Sequence, residues 1–73
     1  MTRRINGIEV TLNRTARGFD VFHRGVSLGS VVKVERLGEI MWQAEGSKRI
    51  RTMMTQAVDE LLVRAELIDG FGW

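Results

Sequence analysis

The chain contains no cysteine and a single histidine, His23, so disulfide stapling is excluded and the usual Cys/His zinc sites cannot be assembled. Proline is absent too, and there are no repeats, low-complexity tracts or linkers. No apolar run approaches the ~18 residues that a membrane span requires. The opening Met1-Thr2-Arg3-Arg4 leads into Asn6 and Gly7 rather than an apolar stretch of signal-peptide length, so no export signal is visible and a cytoplasmic location is expected. Catalytic groupings are equally scarce. His23 has Asp20 three residues before it, but no nucleophile has a recognisable setting and no carboxylate pair is implied by spacing. His23 reads as an exposed turn residue, and a non-enzymatic protein without metal or cofactor is expected.

What the chain does contain is a change of hydrophobic period at Gly46-Ser47. Before it, Ile8, Val10 and Leu12, then Phe19 and Val21, then Ile40, Trp42 and Ala44 alternate with polar residues, as half-buried antiparallel strands do. After it, Ile50, Met53, Met54, Ala57, Val58, Leu61, Leu62 and Ala65 recur at three- and four-residue steps and form one helical stripe. With 73 residues, the chain has room for one small domain. The pattern predicts an α+β fold, an antiparallel meander of three to four strands packed on one C-terminal helix.

Turn chemistry sets the boundaries. Asn6-Gly7 between Ile5 and Ile8 is a strong hairpin signal, and a ragged strand is expected before the one at about 8–13. Strands follow at about 19–24, 27–35 and 39–45, with a tight turn at His23-Arg24-Gly25-Val26. A three-residue loop, Arg36-Leu37-Gly38, would set Val34 against Ile40 and Val32 against Trp42, all facing the core. The helix is expected at about 47–69. Ser47 and Thr52 compete as its N-cap, the second with residues 48–51 extended, and the periodicity favours Ser47 because Ile50 already belongs to the stripe. Gly70 is expected as the C-terminal cap, with Phe71-Gly72-Trp73 as a short aromatic tail that folds back or anchors a partner.

Charge divides near the same boundary. Residues 1–51 carry net +5, whereas residues 52–73 carry net −3 through Asp59, Glu60, Glu66 and Asp69 against Arg64. If the helix starts at Ser47, Lys48, Arg49 and Arg51 sit at the positive end of its dipole, an arrangement that stability does not favour. Nine of the eleven basic residues are arginine, whose guanidinium fork matches phosphate and guanine. The residues predicted to bind nucleic acid are Arg14, Arg17, Arg24, Lys33, Arg36, Lys48, Arg49 and Arg51.

The same alternation sends Phe22, Val31 and Met41 to the open face of the sheet, the side away from the helix. Three such residues together suggest an interface between proteins, although Phe22 could stack a base and a bulge near Gly29 would turn Val31 inward. A chain this short keeps only about 3–5 kcal/mol from its core. A second copy would relieve that shortage, so a homodimer is expected.

Phe19-Asp20-Val21-Phe22, Arg24-Gly25-Val26, Leu28-Gly29-Ser30-Val31, Trp42-Gln43-Ala44 and the Thr52 to Leu62 stripe span about 60% of the chain. In that order they resemble the three-strand-plus-helix pattern of AP2-like and integrase arm-type DNA-binding domains. The resemblance implies a sheet lying in the major groove, with Arg24, Lys33 and Arg36 as the readers. This chain departs from the pattern in its extra N-terminal strand and its apolar open face. The function expected is DNA binding by a regulatory, phage or mobile-element accessory protein. The alternative is a small homodimeric interaction or inhibitor protein that binds through the open face, or one whose basic loops meet a partner with an acidic surface.

Overall fold

The computed structural model describes residues 1–70, so the expected tail of Phe71 and Trp73 lies outside the described residues. Five strands run in an antiparallel meander: β1 (Thr2–Ile5), β2 (Ile8–Arg14), β3 (Gly18–His23), β4 (Val26–Arg36) and β5 (Glu39–Ala44). One helix, α1 (Met54–Arg64), packs against β5, β4 and β1. The α+β class and the antiparallel sheet agree with the sequence reading, but the strand count is five rather than three to four. The strand with the least pattern is β1, whose four residues bury only Ile5 and offer no alternation to read.

Three of the four hairpins close through two-residue turns in which both residues take positive φ: Asn6-Gly7, Arg24-Gly25 and Leu37-Gly38. This is the type I′ geometry whose twist matches that of the flanking strands. The β2–β3 turn differs. There the Thr15 hydroxyl accepts from the backbone N–H of Arg17 at 3.3 Å and of Gly18 at 3.0 Å.

The two-residue turn at Leu37-Gly38 corrects the expected register. Val34 stands opposite Met41 and Val32 opposite Gln43, one residue away from the Val34–Ile40 and Val32–Trp42 pairing that a three-residue loop would give. A one-residue slip exchanges the two faces of a strand. Val31 is therefore fully buried at 0% exposure, and Val32 and Val34 lie on the open face in its place. The expected interface position of Val31 is overturned by this burial.

A bulge lies across β3 and β4, where Val21 pairs with Gly29 but Phe22 pairs with Ser27, so Leu28 is the extra residue. Gly29 has φ +124°, a region closed to side chains, and a Cβ there would stand 3.1 Å from the Leu61 Cδ2 atom. Its bare backbone is the floor on which the helix rests. The core is Ile5, Val10, Leu12, Val21, Val31 and Ala44 from the sheet with Ala57, Val58, Leu61 and Leu62 from the helix. Each buried leucine or valine adds about 1.5–3 kcal/mol over an exposed one.

The helix begins at Met54 rather than at Ser47. Met53 is the N-cap residue, and its N–H donates to Gln56 Oε1 at 3.1 Å. Upstream, Trp42 and Arg51 form an isolated antiparallel bridge along the outer edge of β5. Ser47 points to the helix from outside, its hydroxyl donating to Glu60 Oε1 at 2.6 Å. Lys48, Arg49 and Arg51 are thus kept out of the first helical turn, which removes the unfavourable dipole placement. The helix also ends earlier than residue 69. Glu66 takes φ +61° and the N–H groups of Glu66 and Leu67 return to the carbonyls of Val63 and Leu62, a Schellman closure that replaces the expected cap at Gly70.

Candidate nucleic-acid interface

The meander sorts the basic residues by sheet end and by face. The turns at Asn6-Gly7 and Arg24-Gly25 lie at one end, and the Thr15–Arg17 and Leu37-Gly38 turns at the other. The six residues of β3 separate the Thr15–Arg17 turn from the Arg24 turn by about 20 Å, and β4 runs on past Gly18 to carry Leu37-Gly38 further out. Arg14, Arg17, Lys33 and Arg36 therefore come to one end, while Arg24 stands at the opposite end. Arg24 there lines a polar cleft with Arg4, Glu9 and His23. His23, half-buried rather than an exposed turn residue, places its Nδ1 atom 3.1 Å from the Glu9 carbonyl oxygen.

Arg14 and Lys33 share the helix side of the sheet, since Arg14 is opposite Phe19, Phe19 is opposite buried Val31, and Lys33 is opposite Trp42. Arg17 joins them through the loop: its carbonyl accepts the Lys33 N–H at 2.8 Å. The helix does not reach this end. Ile40, which points to the helix side, is still 55% exposed. Phe19 and Trp42 are half-buried between the cations, their ring centroids 6.1 Å apart and their planes inclined by 30°. The Arg14 guanidinium lies 5.9 Å from the centre of the Phe19 ring. A shallow cleft of about 510 Å³ beside it is lined by Met1, Leu12, Asn13, Arg14 and Phe19. Glu35, opposite Ile40, is the carboxylate in that part of the face.

Lys48, Arg49 and Arg51 form a second group in the segment after β5, in which Lys48 is exposed and the two arginines lie beside acid. Arg51 pairs with Glu60 at 3.9 Å, and Arg49 shares a cleft of about 310 Å³ with Ser47, Glu60, Val63 and Arg64. Arg64 in turn donates to the Glu45 carbonyl at 2.8 Å. Nearby, partial burial raises the Asp59 carboxyl above its usual 3.8, against the hydrogen bond from Asn6 and the attraction of Arg51, both of which lower it. Asp59 and Glu60 of the helix thus stand beside the two arginines of this segment.

The open face does not join Phe22 to Met41. Phe22 pairs with Thr11 and Ser27, near the Arg24 turn, whereas Met41 pairs with Val34 near the other end and Val32 lies beside them. The apolar patch of this face is Val32, Val34 and Met41, all half-buried. Phe19 and Trp42, expected in the core from the alternation, do pack against it, and their position among the cations is an addition that the alternation does not show. The signal that could have found them is the hairpin pairing of Arg14 with Phe19, which the short loop after Arg14 sets.

Among the described residues no helix is long and apolar enough to cross a membrane. Compared with protein families, with curated proteins and with solved structures, the chain matches none.

Proposed function

We propose that the chain is a non-enzymatic nucleic-acid-binding module, with DNA as its target, that holds phosphates with Arg14, Arg17 and Lys33. The observation that carries the reading is the gathering of these three cations at the uncovered helix-side end of the sheet, around two half-buried aromatic rings. Arg36 at the same end extends the positive surface toward the open face. Arg49 and Arg51 take no part in this reading, because Glu60 of the helix stands beside them, and exposed Lys48 lies in the same segment, away from the three cations.

Counterion release supplies the test. Three phosphate contacts on duplex DNA correspond to a salt slope of about −2.7, or a roughly 40-fold loss of affinity between 50 and 200 mM salt. A gel-shift or anisotropy titration reads this directly. The triple variant Arg14→Glu, Arg17→Glu, Lys33→Glu should lose binding and salt dependence while keeping its circular dichroism spectrum. Arg24→Glu, at the far end, should bind like the unaltered chain. Salt-independent binding, or an unaffected triple variant, overturns the reading.

A second reading is favoured by the patch of Val32, Val34 and Met41, apolar residues on the sheet face that the helix does not cover. It makes that face an interface between proteins, with a second copy of the chain as the first partner to test. Light scattering on the unaltered chain and on Val34→Glu decides it: a dimer that dissociates on substitution supports this reading, and a monomer throughout removes it.

A further inference from the structure

Phe19 and Trp42 come from strands that are not neighbours, since β4 runs between them, yet their ring centroids lie 6.1 Å apart across that strand, where Val31, opposite Phe19, is wholly buried. The inner sides of the rings close the core, and both residues keep part of their surface open. Around that surface stand exposed Arg14 and Lys33, on the same face and directly opposite Phe19 and Trp42 in register. The cleft of about 510 Å³ that borders Phe19 leaves room for a flat group next to the ring. Arg14 already lies over this ring, and a nucleobase has a similar flat π face to offer.

From this arrangement we infer that the site selects single-stranded DNA over duplex by stacking exposed bases on Phe19 and Trp42 while Arg14, Arg17 and Lys33 hold the flanking phosphates. The inference rests on the nucleic-acid reading above and adds the form of nucleic acid to it. The cations alone would not discriminate, because phosphates are present in both forms. Bases within a duplex are stacked on one another and their faces are closed to a protein surface, whereas those of a single strand are available. Stacking needs no hydrogen-bond readout, so little sequence preference follows.

The test uses the full chain with Trp73→Phe, so that indole emission reports Trp42. Three probes are compared at one low salt concentration: an oligothymidylate strand, an abasic strand with the same number of phosphates, and a blunt duplex. Oligothymidylate should quench the emission and bind at least about tenfold more tightly than either of the others. Phe19→Leu should bring oligothymidylate binding down toward the abasic level, with a larger loss for oligothymidylate than for the abasic strand, whose only dependence on the ring is through Arg14. If that variant fails to fold, the comparison of strands on the chain with intact Phe19 decides alone. Equal affinity for the thymidylate and abasic strands, or a duplex bound as tightly as the single strand, overturns the stacking inference and leaves the phosphate reading standing. No binding of any probe overturns both.

Discussion

Trp42 and Arg51 exchange both backbone hydrogen bonds, the Trp42 N–H reaching the Arg51 carbonyl at 2.7 Å and the Arg51 N–H reaching the Trp42 carbonyl at 2.6 Å. This bridge makes the chain before the helix extended and covers the middle of an otherwise open sheet edge. Arg51→Pro deletes one donor and leaves the Trp42 carbonyl unpaired, which should cost about 1–3 kcal/mol in a urea titration. Arg51→Lys keeps the backbone bonds and the charge beside Glu60, and should change stability by less than about 0.5 kcal/mol. Equal effects of the two substitutions would contradict the bridge.

Leu37 is fully exposed at 105% and holds φ +51°, a left-handed conformation that suits asparagine far better than a γ-branched apolar residue. Leu37→Asn creates the Asn-Gly pair that type I′ turns prefer, with nothing lost from the core. A gain of about 0.5–1 kcal/mol is expected in thermal or urea unfolding. No gain, or a loss, would point back to the longer loop and its other register.

Faces can be tested by exchanging a methyl for a hydroxyl. At Val31, fully buried, threonine would carry an unpaired hydroxyl into the core at a cost of about 1–3 kcal/mol. At Val34, on the open face, the same substitution should stay within about 0.5 kcal/mol. A larger loss from Val34→Thr than from Val31→Thr would invert the assignment of β4.

Asp59 gives the fold a small pH dependence of definite sign. Its carboxyl is raised above 3.8 by partial burial, so the folded state holds the proton more tightly than the unfolded chain does. The stability contributed by protonated Asp59 is complete below 3.8 and is lost as the pH rises through the higher folded value. Asp59→Asn removes this dependence. Subtracting the variant's stability curve from that of the unaltered chain should give a difference that falls as the pH is raised from below 3.8 to neutrality. A difference that grows over that range would contradict the direction of the shift.

Much of the fold is written in the alternation of β2, β3 and β5 and in the stripe from Met54 to Leu62, because each element has one face to bury. Two-residue turns with asparagine or glycine are legible as well, as at Asn6-Gly7 and Arg24-Gly25. Leu37 was not, since leucine in the left-handed region runs against local preference and only the pairing of β4 with β5 holds it there. The two-residue turn at Leu37 and the bulge beside Gly29, which the sequence offers as the alternative for Val31, together place Val31 in the core and Val32 and Val34 on the open face. Ile50 misled in another way: it fits a helical step from Met53 and Met54, but it lies in the extended segment before Arg51. The basic character of the sheet half was plain from composition. Which cations meet depends on sheet ends and faces, and so required the register.

The proposed contact of nucleic acid with the uncovered helix-side end of the sheet can be read residue by residue by titrating a ¹⁵N-labelled chain with oligothymidylate at low salt. Backbone and side-chain shifts are expected to concentrate at Arg14, Arg17, Phe19, Lys33 and Trp42, with Arg24 and Phe22 unmoved. Shifts centred on Val32, Val34 and Met41 or around Arg24, or a spectrum that does not respond, would contradict it.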